Sequence, residues 1–73
     1  MKNQVKSERV RIGLSQAKLG AALNPPVSER TVREWEKGNS PISSFQLLNL
    51  IQLFHCSVDY LLGLTDERTS RAS

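Results

Sequence analysis

Ser28, Glu29, Arg30 and Arg33 crowd an unusual range of hydrogen-bonding chemistry into one short stretch. Each arginine carries a planar fork of donors that matches the two major-groove acceptors of guanine, and a glutamate can accept from the amino group of cytosine. All four, in the first turns of one helix, are candidates to read bases, and the Ser28 hydroxyl can also cap that helix or touch a phosphate. The plainer reading is a solvated charged face, with Glu29 and Arg33, or Arg30 and Glu34, paired at a spacing of four. A second group of residues suits phosphate. Gln16 and Lys18 open one helix, where unpaired backbone N–H groups favour an anion, and Lys37, Asn39 and Ser40 close another.

These residues need helices to hold them. Hydrophobic spacing and capping signals predict five, and no stretch alternates well enough for a strand. The first covers roughly Asn3 to Ile12, with Val5, Arg9 and Ile12 on one face and Gly13 as its stop. Ser15 caps the second, Gln16 to about Leu23. There Leu19 and Leu23 face inward, Gly20 permits close approach, and Asn24 suits a left-handed cap before Pro25 and Pro26. Ser28 caps the third, Glu29 to about Lys37. Val32 and Trp35 form its inner edge, and Glu29, Arg30, Arg33, Glu34 and Lys37 its outer one. Trp35 reads as a core anchor rather than a stacking platform, because Val32 shares its face. Gly38 and Pro41 end that helix.

The fourth helix, roughly Ser44 to Phe54, buries Leu47, Leu50, Ile51 and Phe54. Phe45, Leu48 and Leu53 extend its apolar surface almost around the cylinder, which suits a central helix or one partly covered by a partner. His55 stands at its C-cap. Ser57 caps the fifth helix, Val58 to about Leu62, with Asp59 in the first turn and Gly63 as the stop. Tyr60 and Leu64 lie off its core face; with Phe45 or Leu48 they form a candidate dimer surface, set against the ordinary scatter of apolar residues on any protein. Residues 1–64 therefore read as the domain and 65–73 as a polar, flexible tail.

Other chemistries find little support. His55 and Cys56 are adjacent, but sequence neighbours usually point apart and no third residue orients them as nucleophile and base. A core position for Cys56 is the better reading. One cysteine and one histidine make a poor metal site. No cofactor motif is present, and no apolar stretch has the length of a membrane span. A lone cysteine favours a reducing, cytoplasmic setting. Ten Lys and Arg against seven Asp and Glu leave a net charge of +3, compatible with a polyanionic partner. The chain, 73 residues long, sits near the lower range for folding without metals or disulfides, so dimerisation would add useful buried area.

The stretches VKSERVRIGLSQAKLGAAL, VSERTVREWEKG and HCSVDYLLG carry a recognisable pattern. Arg9, Gly13-Leu14-Ser15-Gln16, Leu19, Trp35-Glu36-x-Gly38, Pro41 and Ser57-Val58-Asp59-x-Leu61-Leu62 are specific as a set. In them the chain resembles the Cro/C1-type helix-turn-helix proteins, the Xre family, which includes lambdoid phage repressors. The resemblance implies an all-α, five-helix, lambda-repressor-like domain that binds double-stranded operator DNA as a homodimer and acts as a transcription repressor without catalysis. It places Gln16, Ser28, Glu29, Arg30 and Arg33 at DNA-contact positions and pairs Arg9 with Glu36 in a salt bridge between the first and third helices. An antitoxin that covers a toxin and regulates its own operon is the alternative. Three features depart from the pattern. The turn between Leu23 and Val27 is about two residues longer than usual and holds two prolines. Glu34 replaces a basic or polar residue. Gly20 replaces the customary alanine, a change that weakens a helix by roughly 1 kcal/mol.

Overall fold

The computed structural model describes residues 3–68, and among them the secondary structure is entirely helical. The order is α1 (Val5–Arg11), α2 (Gln16–Ala22), α3 (Glu29–Lys37), α4 (Ser44–Phe54) and α5 (Val58–Leu61). Four serines cap four of these helices in the same way. The hydroxyls of Ser15, Ser28, Ser43 and Ser57 each accept from the backbone N–H three residues on, satisfying a donor that the first turn would otherwise leave orphaned. The start of α1 is different: the Asn3 side chain accepts from the Val5 N–H and donates to the Trp35 carbonyl at 2.8 Å. That second bond fastens the chain's beginning to the far end of α3.

Positive φ falls at Gly13, Gly38, Gly63 and His55 among the described residues. Asn24, suited to a left-handed cap by its type, does not take one. Leu23 is extended instead (ψ 161), so α2 stops at Ala22 and the chain runs out into the two prolines. The peptide bond between Asn24 and Pro25 is cis.

One core joins all five helices: Val5, Leu19, Leu23, Val32, Trp35, Leu50, Phe54 and Leu61, with Ile12, Leu14, Val27, Ile42, Leu47, Ile51, Leu53 and Cys56 packed around them. Helix α3 lies against α1 and α2, and α5 against α4. The apolar girth of α4 is only partly used. Its buried line is Gln46, Leu50 and Phe54, while Phe45 and Leu48 remain 63% and 56% exposed. Cys56 is half-buried, and burial, with Glu8 adding to it, pushes its thiol above the usual range. It therefore stays a thiol rather than the thiolate that a nucleophile requires.

A buried carboxylate organises the region around the C-terminal end of α4. Glu8 is 2% exposed and takes hydrogen bonds from Arg11 (3.1 Å), Arg68 (2.9 Å) and the Tyr60 hydroxyl (3.3 Å). Both arginines also donate to the Phe54 carbonyl at the end of α4, where cations and donors are favoured. The segment from Thr65, expected as a flexible tail, folds back here as far as Arg68, whose own carbonyl accepts from the Ser57 N–H at 3.0 Å. The remainder of that expected tail, residues 69–73, lies outside the described residues.

Burial alone would raise the Glu8 pKa, but the bonds and charges of Arg68 and Arg11 hold it below the ordinary glutamate value of 4.5. A carboxylate with a depressed folded pKa contributes stability that is present above its unfolded value and disappears as pH falls through the folded one. The parent protein should therefore lose urea resistance below about pH 4.5, and the gap between it and Glu8→Gln should narrow with it. Urea midpoints from pH 7 to pH 3 provide the check; a gap independent of pH would refute the assignment.

Candidate nucleic-acid interface

The geometry of α3 follows from its sequence. Val32 and Trp35 are buried while Glu29, Arg30, Arg33 and Lys37 are exposed, so the helix is held along one edge and bare along the other. Ser28 sits at its N-cap and accepts from the Thr31 N–H at 3.1 Å; its hydroxyl also meets that of Thr31 at 3.0 Å. Glu29 and Arg33 form a pair at 3.1 Å on the exposed face, each side chain about half accessible. Such a pair adds little to stability, but it holds the Arg33 guanidinium in one orientation. The companion pairing of Arg30 with Glu34 does not form. Glu34 accepts from the Asn39 side chain at 3.2 Å, and Arg30 makes no hydrogen bond or ion pair with a described residue.

Behind this face lies a second, more buried pair. Arg9 Nε donates to Glu36 Oε2 at 2.6 Å and Arg9 Nη2 to Oε1 at 3.3 Å, with side-chain exposures of 12% and 6%. Arg9 Nη1 also donates to the Leu14 carbonyl at 2.8 Å, and Gln16 Nε2 to Glu36 Oε1 at 3.1 Å. The pair thus joins α1, the α1–α2 loop, α2 and the back of α3. Gln16 is drawn into this network, yet its amide nitrogen carries two hydrogens, so one remains for an outside acceptor. Lys18, at the start of α2, and Lys37, at the end of α3, are exposed; Ser40 is half-buried, and Asn39 is exposed with its amide on Glu34.

The connection between α2 and α3 runs from Leu23 to Ser28, longer than the roughly three to four residues typical of such a turn. Its return is tight. The Val27 N–H donates to the Gly20 carbonyl at 3.0 Å, and a Cβ on Gly20 would stand 2.3 Å from the Val27 carbonyl oxygen. Gly20 therefore has a definite cause: the lengthened turn closes directly onto α2 at this residue.

Of the four residues grouped as an apolar surface, Phe45, Leu48 and Leu64 are well exposed. Tyr60 departs from them, because its hydroxyl is engaged by Glu8 and the residue is half-buried. Sequence reasoning missed the Glu8 cluster entirely: its members are scattered from α1 to residue 68, and no spacing links them. Val10, 59% exposed on α1, was likewise not singled out.

Among the described residues, no group of histidine, cysteine and acidic side chains could hold a metal ion, and no helix is long and apolar enough to cross a membrane. Comparison with curated proteins and with solved structures gives no match. The model of a helix-turn-helix family matches residues 5–61, from the first residue of α1 to the last of α5. With capped α2 and α3 packed together and one polar edge of α3 left bare, this chain belongs to the Cro/C1-type helix-turn-helix family of DNA-binding regulators, the Xre family.

Proposed function

We propose that this protein is a sequence-specific repressor that lays the outer edge of α3 in the major groove of operator DNA. The observation that carries the reading is the division of α3: Val32 and Trp35 fix its back while Arg30, Arg33 and Glu29 face outward. A groove about 12 Å wide admits such a helix. Arg30 is the principal reader of guanine, because no described side chain competes for it. Arg33 and Glu29 read as a linked pair, and Ser28 lies at the N-terminus where phosphate approaches. Gln16, Lys18, Lys37, Asn39 and Ser40 flank the helix as phosphate contacts, which position the protein without specifying sequence.

A second copy would join through the exposed Phe45, Leu48 and Leu64, giving a two-fold dimer whose half-sites lie roughly 34 Å apart, one turn of the duplex. Bound there, the dimer would block access to a promoter. Selection from a randomised duplex library at a stated salt concentration tests this directly. An enriched palindrome whose affinity falls steeply with salt is expected, and enrichment of no sequence at all would refute the proposal. On the enriched site, Arg30→Ala should cost about 1–3 kcal/mol and relax preference at one base pair; unchanged binding would remove Arg30 from the reading face.

A further inference from the structure

We infer that Gln46 and Asn49, on α4, are positioning residues for the reading helix: their side-chain amides clamp the proline turn and so set the angle at which α3 leaves α2. The turn needs outside donors. Pro25 and Pro26 have no N–H, and the non-helical segment from Asn24 to Val27 forms no helical bonds for its carbonyls. Gln46 Nε2 donates to the Pro25 carbonyl at 2.7 Å, and Asn49 Nδ2 donates to the Asn24 carbonyl at 2.8 Å. Asn49 Nδ2 also donates to Gln46 Oε1 at 2.8 Å, so the two amides brace each other. Their spacing of three puts them on one side of α4.

Gln46 is 7% exposed, one of two buried polar residues among those described. A polar side chain so placed must be satisfied, and its partner here is the turn. The turn is also held by α2, through the Val27 N–H on the Gly20 carbonyl and the missing Cβ of Gly20. Asn24 to Val27 are therefore tied to two helices, and Ser28, which caps α3, follows immediately. The lengthened turn is thus as firmly placed as a short one would be, because α4 supplies what local geometry does not.

The functional consequence rests on the reading of α3 as the groove-binding helix, but the clamp itself can be measured without DNA. The variants are Gln46→Met with Asn49→Leu, which keep volume and remove the donors, and Asn49→Leu alone should the pair fail to fold. Arg68→Ala serves as a control that loosens the domain away from the turn. Residual dipolar couplings of the free proteins report the angle between α2 and α3. Binding to the duplex enriched from the randomised library, at a temperature where all are folded, reports function. The clamp variants should show a changed angle, at least ten-fold weaker binding and an altered base preference, while Arg68→Ala keeps the parent's angle and preference. An unchanged angle, or losses in the clamp variants matched by Arg68→Ala, would overturn the assignment. A changed angle in a protein whose parent enriches no duplex would support the clamp and refute the DNA reading.

Discussion

Gly20→Ala should destabilise the domain by about 1–3 kcal/mol, although alanine is the better helix former. Propensity alone favours the substitution by roughly 1 kcal/mol in the interior of α2. Against it stands a steric conflict with backbone, not with a side chain that could swing aside. The new Cβ would lie 2.3 Å from the Val27 carbonyl oxygen and 3.2 Å from its carbon. Relief requires moving the turn away from α2, which breaks the Val27 N–H bond to the Gly20 carbonyl and pulls on the bonds that α4 makes to Asn24 and Pro25. Overpacking of this kind costs about 1–3 kcal/mol, occasionally more, and the lost hydrogen bond adds about 1 kcal/mol. A domain of this size unfolds about 4–8 °C lower for each kcal/mol, so thermal unfolding followed by circular dichroism should show a fall of roughly 4–24 °C. DNA affinity should drop with it even at low temperature, since Ser28 and the α3 N-terminus follow the displaced turn. A variant as stable as the parent would mean that the turn yields easily and does not hold α3.

Glu36→Ala should be at least as damaging, for an electrostatic reason. Glu36 accepts from three side-chain groups, two on Arg9 and one on Gln16, in a site where Arg9 is 12% exposed. Its removal leaves a largely buried guanidinium with only the Leu14 carbonyl as partner. Breaking a buried pair by deleting one member typically costs about 3–5 kcal/mol, because the remaining charge is uncompensated. Total stability for a chain of this length is of the order of 4–11 kcal/mol, so the variant should lose a large share of it and unfold at a clearly lower urea concentration. Replacing both members, Arg9→Met with Glu36→Leu, removes the stranded charge and should recover much of the loss. Urea denaturation of the single and double variants separates the outcomes. A double variant no more stable than Glu36→Ala would show that shape and not charge dominates the site.

Both expectations concern contacts between segments distant in sequence, and that is where reading the chain alone was weakest. The helices were legible because their signals are local. Apolar residues recur at helical spacing, and serine precedes four of the five helices by one position. The αL stops at Gly13, Gly38, Gly63 and His55 follow from the steric tolerance of those residue types. The bare edge of α3 was legible for the same reason, since burying Val32 and Trp35 forces Arg30 and Arg33 outward. Resemblance to a family brought Arg9 and Glu36 together on paper, with modest support from the sequence itself, since Arg9 lies on the Val5/Ile12 face and Glu36 adjoins Trp35.

What sequence by itself determined, then, is the set of helices, their ends and the side of α3 that must face away from the core, because each is settled by interactions within a few residues. Tertiary structure alone decided which polar groups would be enclosed together. Glu8 meets Arg68 and Tyr60, and Gln46 meets Pro25, only once chain closure has brought remote segments within a hydrogen bond's length. It likewise turned Gly20 from an apparent weakness of α2 into the place where the long turn touches down. Propensity is a property of one residue, whereas the space available to its Cβ belongs to the whole fold.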